Sequence, residues 1–227
     1  MTVKRACDIL LSCIALLLLF PFVLPVAVLL RVTGEGEIFF TQRRIGFGGK
    51  PFRLVKFATM LKDSPNIGTG TVTLKNDPRV LPVGKFLRRT KVNELPQLLN
   101  VLWGDMSLVG PRPQTPRCFE AFPPSFQTVI VKVKPGLSGI GSLVFRGEED
   151  ILVNHSSSED FYDSVIAPYK GALEAWYVEN QSIFIYFAVI FLTSGVVLCP
   201  SSSLFWRVFR GLPVPPQTLR RALNYPA

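Results

Sequence analysis

Histidine and paired cysteines, which build many hydrolytic and zinc sites, are almost missing from this sequence. Histidine occurs once in 227 residues, as His155, which argues against a His-rich zinc site and against a Ser–His triad. The four cysteines (Cys7, Cys13, Cys118 and Cys199) are scattered without a CxxC pair, which indicates a reducing compartment and no disulfide framework. Any catalysis must therefore depend on carboxylates and cations.

Acidic residues are also few, with 16 Asp and Glu against 25 Lys and Arg, so the formal net charge is +9. At the same time 48% of the residues are apolar, a combination typical of proteins that meet anionic lipid or phosphorylated substrates. Nucleic acid is the alternative partner for a basic chain. We expect no nucleic acid, because the aromatic side chains do not interleave with the basic run as a stacking platform requires.

Charge is absent altogether from Ile9 to Leu30, a run that would reach about 33 Å as a helix. Pro21 and Pro25 interrupt the run, and basic residues flank it on both sides, which favours keeping both ends at the cytoplasmic face. The sequence therefore predicts a re-entrant membrane helix hairpin over residues 1–32 in preference to a simple span. A cleavable signal peptide is disfavoured, because the run is long and no small-residue cleavage site follows it.

Periodicity beyond this run predicts an α+β fold, mostly helical, with one short β-hairpin and interfacial amphipathic helices. The hairpin strands are Ile38–Gln42 and Phe52–Phe57, which are joined by a glycine-rich turn. Helical patterns cover Val83–Leu87, Phe161–Tyr177 and Ile183–Leu198. The last is uncharged but short for a span, so a buried or interfacial helix is expected. A central domain over residues 33–200 is followed by a basic, aromatic tail at the membrane surface, residues 201–227.

An acidic residue at a predicted helix start is the first candidate for chemistry. Asn93 is interpreted as the N-cap and Glu94 as part of the first turn, where free amides and the helix dipole favour anions. The helix is expected to end at Gly104. Its buried face is expected to consist of Leu95, Leu98, Leu99 and Leu102. Taken alone, such an Asn–Glu pair is often purely structural.

A second candidate is Arg112, which stands between Pro111 and Pro113. The prolines fix the backbone and aim the side chain, and a guanidinium can grip a phosphate bidentately. Together with Glu94, the preceding basic residues and the membrane segment, this turn indicates phosphoryl transfer, in which cations spread charge and a carboxylate holds a divalent metal. Asp105 is a weaker candidate for the metal, or simply part of the turn that ends the helix.

The motifs of this chain resemble, in order, those of the bacterial sugar transferase family, the small monotopic phosphoglycosyl transferases. The resemblance covers roughly residues 3–200. The matching stretches are Lys4-Arg5 with Asp8, the proline-broken hairpin, Phe40-Thr41-Gln42-Arg43-Arg44-Ile45-Gly46, Lys56-Phe57-Ala58-Thr59-Met60, Glu94-Leu95-Pro96-Gln97-Leu98, Gly104-Asp105-Met106-Ser107, Gly110-Pro111-Arg112-Pro113 and Pro135-Gly136-Leu137-Ser138-Gly139.

The resemblance implies an enzyme that moves a sugar-1-phosphate from a UDP-sugar to undecaprenyl phosphate, releases UMP and needs Mg²⁺. It implies the bacterial inner membrane, with the catalytic domain on the cytoplasmic face, and a first step in surface glycan, exopolysaccharide or lipopolysaccharide assembly. Glu94 is then the expected Mg²⁺ ligand, and Arg88, Arg112, Lys56 and Arg44 are expected to bind phosphates. A second copy of the chain and downstream glycosyltransferases are expected partners.

The sequence departs from the family at one catalytic position. The family uses an Asp–Glu pair, in which the Asp attacks the phosphate and the Glu serves the metal and proton transfer. Glu94 matches the Glu, but position 93 is Asn, and a neutral amide is a poor nucleophile. Three accounts are open: natural variation in which Glu94 or direct attack by the lipid phosphate takes over, a substitution that traps substrate, or an inactive relative.

We take Asn93 and Glu94 as the catalytic pair and natural variation as the working hypothesis, since the other motifs are intact. The alternative function is a catalytically impaired scaffold that binds polyprenyl phosphate for downstream glycosyltransferases. The sequence does not identify the sugar that is transferred. The loops Ser64–Asn76 and Gly141–Asn154 are expected to determine the sugar specificity.

Overall fold

The computed structural model describes residues 2–67, 77–153, 158–198 and 202–226. His155 and most of the predicted specificity loop Ser64–Asn76 lie outside these residues. The strands are β1 (Phe39–Ile45), β2 (Pro51–Phe57), β3 (Ser107–Val109) and β4 (Gly136–Ser138). The helices are α1 (Val3–Thr33), α2 (Pro82–Arg89), α3 (Gln97–Trp103), α4 (Pro116–Glu120), α5 (Pro124–Ile130), α6 (Ile140–Val144), α7 (Glu148–Val153), α8 (Ser158–Phe161), α9 (Ala167–Glu179), α10 (Ile183–Leu198), α11 (Leu204–Val208) and α12 (Gln217–Arg220).

Strands β1 and β2 form the antiparallel hairpin that the sequence predicts. Their register runs from Phe39 opposite Phe57 to Ile45 opposite Pro51. Gly48 and Gly49 take positive φ angles of 66° and 72° in the connecting turn, a conformation that glycine adopts without steric cost. The mixed helix and strand content confirms the α+β class at this coarse level.

A second pair of strands, β3 and β4, was not predicted. The two strands are parallel, with Ser107 opposite Gly136 and Val109 opposite Ser138. Each strand has three residues, too short for an alternating pattern to be recognised. The pair matters for function, because the turn that carries Arg112 follows β3 directly.

Helix α1 is continuous through Pro21 and Pro25, so the break predicted at these prolines is not observed. The helix is long and apolar enough to cross a membrane by length and composition. Its first turns contact the rest of the protein: the guanidinium of Arg5 donates to the carbonyls of Val101 and Leu102 at the end of α3. Its last turns also do so, because Leu30 is buried with side chains of β2 and α2. The middle exposes a series of large apolar residues, among them Leu17, Leu18, Phe20, Phe22 and Leu24.

Asp8 ties the start of α1 to two other elements. Its side chain is 2% exposed. Its Oδ1 accepts hydrogen bonds from Ser107 Oγ (3.0 Å), Leu108 N (2.9 Å) and Tyr186 Oη (2.9 Å). Helix α1 is therefore docked against β3 and α10 through a buried, hydrogen-bonded carboxylate.

Helix α3 buries a different face from the one predicted. Of the predicted leucine face (Leu95, Leu98, Leu99 and Leu102), Leu98 is buried and the others are half-buried. Asn100 and Val101 are fully buried. The Asn100 amide accepts from Val55 N (3.0 Å) and donates to Arg53 O (2.8 Å), which fastens α3 to β2. The helix ends at Gly104, whose φ of 95° confirms the predicted stop.

The main core lies between α9, α10 and the short helices around them. The predicted helix Phe161–Tyr177 is divided by a π turn over Tyr162–Ile166, after which α9 starts with Pro168 in its first turn, where proline needs no hydrogen bond. Helix α10 buries Tyr186 and Val189 in this core and exposes the opposite face. It is thus half-buried, as expected for the second apolar run.

The C-terminal tail is folded onto the same core. Phe205 and Phe209, which the sequence suggested for the membrane surface, are 5% and 3% exposed, so this part of the prediction is wrong. They are buried because Leu219 and Leu223 of the following turns pack with them in the main core. Leu204 and Val208 are exposed on the other side of α11. The division of the chain into three parts stays a prediction.

Candidate active site

One cavity of about 1090 Å³ collects the residues that the sequence singled out for phosphate chemistry. All six line it: Arg44 of β1, Lys56 of β2, Arg88 of α2, Asn93 and Glu94 of the turn before α3, and Arg112 of the loop after β3. The hairpin, α2, the turn before α3 and a loop thus converge on a strongly cationic region around the carboxylate of Glu94.

The turn that carries Asn93 and Glu94 differs from the predicted helix start. Both residues lie in a single 3₁₀ turn, Val92–Glu94, and α3 begins only at Gln97 with Pro96 before it. The N-cap prediction for Asn93 is wrong, because the chain has already turned there: Glu94 N donates to Lys91 O (3.0 Å). The negative charge of Glu94 is therefore stabilised by neighbouring cations and not by the dipole of α3.

The Glu94 carboxylate lies between two cations. Arg112 Nη2 donates to Glu94 Oε1 over 3.2 Å, and Lys56 Nζ lies 3.9 Å from the same oxygen. Burial alone would raise the pKa of Glu94, but the charges of Arg112, Lys56 and Lys91 lower it to about 2. Glu94 is consequently ionised at any physiological pH and is weakly basic.

Lys56 and Arg44 form the floor of the cationic region. Burial lowers the pKa of Lys56 to about 7, against the opposing attraction of Glu94. Burial together with the charge of Arg112 lowers the pKa of Arg44 to about 10. Arg44 donates to Pro113 O (3.0 Å) and to Gln42 Oε1 (2.6 Å), so it also braces the turn around Arg112.

Arg88 lies at the rim of the cavity and not in its centre. Its Nη2 donates to Glu149 Oε1 over 3.0 Å, and Glu149 is half exposed. This ion pair joins α2 to α7 across the cavity mouth. Exposed pairs of this kind contribute little stability, so Arg88 is free to exchange Glu149 for a substrate phosphate at small cost.

The turn that carries Arg112 is built by close backbone packing. Gly110 N donates to Ser138 O (2.9 Å), and Gly136 N donates to Pro111 O (2.8 Å). A Cβ added at Gly110 would lie 2.5 Å from Lys134 O, closer than side-chain carbons approach backbone. The prediction of a rigid arginine turn is thus supported, with rigidity coming from β3–β4 pairing as well as from the prolines.

Glu174 of α9 is a member of this arrangement that the sequence did not reveal. It is fully buried, and its Oε1 accepts from Arg112 N over 3.1 Å. The amide of Gly141 also bonds to the carboxylate, and burial raises the pKa of Glu174 to about 7. The one available signal was an acidic residue inside an otherwise buried helix, which does not identify Arg112 as its partner.

Several buried polar atoms around the cavity have no hydrogen-bond partner within the described part of the chain. Those on cavity-lining residues are Arg44 Nε, Asn93 Oδ1, Gln114 Nε2 and Ser142 Oγ. A buried polar atom left unpaired costs about 1–3 kcal/mol. These are the atoms that an ordered water or a polar ligand would have to satisfy.

Comparison with known proteins decides the family. A family model described as bacterial sugar transferase matches residues 1–200. The chain belongs to the bacterial sugar transferase family. The matched range contains every residue that lines the cavity, from Leu11 to Val196.

Relatives of this bacterial sugar transferase include three named proteins. It is 36% identical over 193 residues to a UDP-glucose:undecaprenyl-phosphate glucose-1-phosphate transferase of Escherichia coli (strain K12), covering 84% of this chain but 39% of that protein. It is 32% identical to the exopolysaccharide production protein ExoY of Rhizobium meliloti (strain 1021), covering 86% and 84%. It is 36% identical to the exopolysaccharide production protein PSS of Rhizobium leguminosarum bv. phaseoli, covering 85% and 94%.

The fit of a divalent metal to this bacterial sugar transferase can be judged from its carboxylates. Among the described residues, no group of three or more His, Cys, Asp or Glu side chains could hold a metal ion. Mg²⁺ in phosphate-transfer sites usually takes one or two carboxylates plus substrate phosphates, so the ionised Glu94 fits as a single protein ligand. Asp105 does not line the cavity; it accepts from Asn100 Nδ2 (3.2 Å) and belongs to the turn after α3.

Proposed function

We propose that this chain is a membrane-bound phosphoglycosyl transferase that moves a sugar-1-phosphate from a UDP-sugar to undecaprenyl phosphate and releases UMP. The observation that carries the proposal is the buried cluster in which the cations Arg44, Lys56 and Arg112 lie around the carboxylate of Glu94. Its excess positive charge suits a diphosphate. The printed names of the relatives supply the donor class, the lipid acceptor and a role in exopolysaccharide production.

The proposed reaction is a single displacement at the phosphorus that carries the sugar. An oxygen of undecaprenyl phosphate forms the new bond to that phosphorus, and the bond to the bridging oxygen breaks. UMP leaves with the electron pair. Arg112 and Lys56 would hold the non-bridging oxygens of the sugar-bearing phosphate, where charge is spread in the transition state. Arg88, at the cavity rim, would hold the other phosphate of the donor. Mg²⁺, held by Glu94, would supply further charge neutralisation at the diphosphate.

Direct attack by the lipid phosphate is preferred over a covalent enzyme intermediate because neither Asn93 nor Glu94 is a good nucleophile. Asn93 is neutral and cannot form an acyl phosphate. Glu94 is ion-paired with Arg112 and has a pKa of about 2, which makes it a weak nucleophile. Asn93 Oδ1 is buried and unpaired among the described residues, so we assign it a hydrogen bond from the substrate.

UMP release tests the proposed activity. The protein would be assayed with a panel of UDP-sugars, undecaprenyl phosphate and Mg²⁺, and release with at least one donor is expected. No release with any donor would favour the polyprenyl-phosphate scaffold. A donor labelled in the sugar-bearing phosphate, incubated without lipid, tests direct attack. A labelled protein band would contradict it.

The membrane arrangement is also a proposal. Both the first and the last turns of α1 contact the same folded body, through Arg5 and Leu30, which supports a helix that stays at one face of the bilayer. The basic residues on both sides of the apolar run support the cytoplasmic face. Cysteines introduced as Thr2→Cys and Gly34→Cys, in a protein freed of its own cysteines, should react with an impermeant reagent from the same side. Labelling from opposite sides would indicate a span.

A further inference from the structure

The cavity contains an apolar part in addition to the cationic part. Its wall is formed by α1, by the two short strands and by α10. The apolar side chains that line it are Leu11 and Ala15 of α1, Leu108 of β3, Leu137 of β4, and Ile190 and Val196 of α10. None of these residues has a role in holding phosphates, so this wall needs a separate explanation.

Strand geometry turns Leu108 into the cavity. Its neighbours Ser107 and Val109 are buried on the other face, whereas Leu108 is half-buried, which is the alternation expected of a strand. Arg112 lies in the turn that follows this strand. The β3 strand thus links the apolar wall to the residue that is proposed to hold phosphate.

The polar groups of α10 in this wall are already satisfied. Thr193 Oγ1 and Ser138 Oγ form a hydrogen bond of 2.5 Å, and Ser194 Oγ donates to Ile190 O over 3.0 Å. This contrasts with the unpaired atoms of Arg44 and Asn93 in the cationic part. The cationic part of the cavity therefore suits a polar ligand, and the apolar wall suits a hydrocarbon chain.

The same two helices carry apolar surface on their outer faces. Leu17 and Leu18 of α1 are 78% and 66% exposed, and Phe187 and Phe191 of α10 are 45% and 82% exposed. The bond from Tyr186 to Asp8 holds the two helices together. In the proposed membrane arrangement, a chain lying between α1 and α10 would pass from the cavity into the bilayer.

We propose that the apolar wall between α1 and α10 binds the first isoprene units of the polyprenyl phosphate acceptor, with its phosphate directed at the donor phosphate that Arg112 and Lys56 hold. This subsite rests on the proposed function. The volume of about 1090 Å³ is slightly above the range of roughly 300–1,000 Å³ for single-ligand pockets, as expected if donor and lipid are held together.

Photo-crosslinking tests the subsite without requiring turnover. The probe is undecaprenyl phosphate with a diazirine on an isoprene unit next to the phosphate, added to the protein in vesicles without donor. Crosslinks are expected in peptides that contain Leu11 or Ala15 and Ile190. Leu11→Trp should lower the crosslink yield about tenfold by filling the wall, while Leu17→Trp, the same change on the outer face of α1, should not.

Two controls keep folding and function separate from the subsite. Ala15→Phe fills the wall at a second position, and binding of UDP to each variant should equal that of the wild type. Equal crosslinking in the Leu11 and Leu17 variants, or crosslinks confined to the outer face, would overturn the subsite. Crosslinks as expected without UMP release would retain the subsite and refute the transferase, whereas UMP release without crosslinks to α1 and α10 would do the reverse.

Discussion

Two turns supply the opposite charges of the site, and they are held in different ways. The carboxylate turn, Val92–Glu94, is a single 3₁₀ turn preceded by Lys91 in the left-handed conformation, with a φ of 61°. It packs against α2 and β2. Asn93 Oδ1 within it is buried and has no partner among the described residues.

The arginine turn, Gly110–Pro113, is fixed by contacts with three other parts of the protein. The parallel β3–β4 pair fixes its start, Glu174 binds the amide of Arg112, and Arg44 donates to the carbonyl of Pro113. Its side chain is thus aimed before any ligand arrives. Preorganised donors of this kind are the ones that stabilise developing charge most effectively.

The difference separates two tasks. The arginine turn acts as a fixed cationic reference, whereas the carboxylate turn presents polar atoms that a substrate or metal must complete. Changes in the arginine turn should therefore damage the fold as well as the activity. Removal of the Asn93 side chain from the carboxylate turn should leave the fold nearly intact, because its Oδ1 has no partner among the described residues.

Gly110→Ala should have the largest effect, because it strikes the arginine turn where the backbone is most crowded. The new Cβ would lie 2.5 Å from Lys134 O and 2.9 Å from Gly136 N, atoms that cannot move without separating β3 from β4. We expect the free energy of unfolding to fall by about 3 kcal/mol and UMP release to be lost. Thermal unfolding followed by tryptophan fluorescence, together with the UMP assay, measures both.

Gly195→Ala is the matched control for this change. A Cβ at Gly195 in α10 meets nothing within 4 Å among the described residues, and alanine favours a helix by up to about 1 kcal/mol. The control should therefore have a Tm equal to or above that of the wild type. A wild-type Tm for the Gly110 variant would show that the arginine turn is not closely packed.

Glu94→Gln and Arg112→Lys separate the two turns in their effect on turnover and binding. Glu94→Gln should lower kcat on the order of 10²–10³-fold with a smaller effect on donor binding, because Arg112 keeps its charge for the donor phosphates. Arg112→Lys should raise the donor KM about tenfold, since an ammonium lacks the bidentate fork. Calorimetric binding of a UDP-sugar and the UMP assay distinguish the two. Unchanged turnover in Glu94→Gln would remove Glu94 from the mechanism.

Local pattern accounts for the parts of this fold that the sequence predicted. The β1–β2 hairpin and α10 were predicted because alternation and apolar runs are properties of neighbouring residues. Arg44, Lys56, Glu94 and Arg112 were placed in one site through resemblance of ordered motifs, and the structure does bring them together in one cavity.

Long-range contacts account for what was missed. The pairing of Ser107 with Gly136 and the bond from Arg112 to Glu174 join residues far apart in sequence, and neither leaves a periodic trace. The helix start at Asn93 was misplaced because Pro96 and the left-handed Lys91 shift the turn before α3. Cap patterns report preference, and tertiary packing overrode it here.

Asn93→Ala should have a moderate effect that is confined to function. Because Asn93 Oδ1 has no partner among the described residues, its removal should leave the Tm nearly unchanged. Loss of one substrate hydrogen bond should lower kcat/KM about tenfold. Glu94→Ala should cost more. If Asn93→Ala abolished turnover while Glu94→Ala retained it, the assignment of roles within the carboxylate turn would be reversed.

Glu174→Gln should have the smallest effect on activity, because the amide oxygen still accepts from Arg112 N and preserves the arginine turn. Glu174→Ala, which removes the acceptor, should lower kcat/KM at every pH and serves as its comparison. The instructive difference lies in stability. Burial raises the pKa of Glu174 from 4.5 to about 7, so between these values the folded protein keeps a proton that the unfolded chain has released.

The sign of the resulting pH dependence follows from proton counting. Since the unfolded state binds fewer protons in this window, stability falls as pH rises from about 4.5 to 7 and is level above it, by about 3 kcal/mol at 1.36 kcal/mol per pKa unit. Glutamine cannot ionise, so the stability of Glu174→Gln should not decline over this pH range. The Tm of the variant should be above that of the wild type at pH 8 and no higher than that of the wild type at pH 5. Parallel Tm curves for the two proteins would show that Glu174 titrates normally and that its hold on the arginine turn does not depend on a buried, protonated carboxyl.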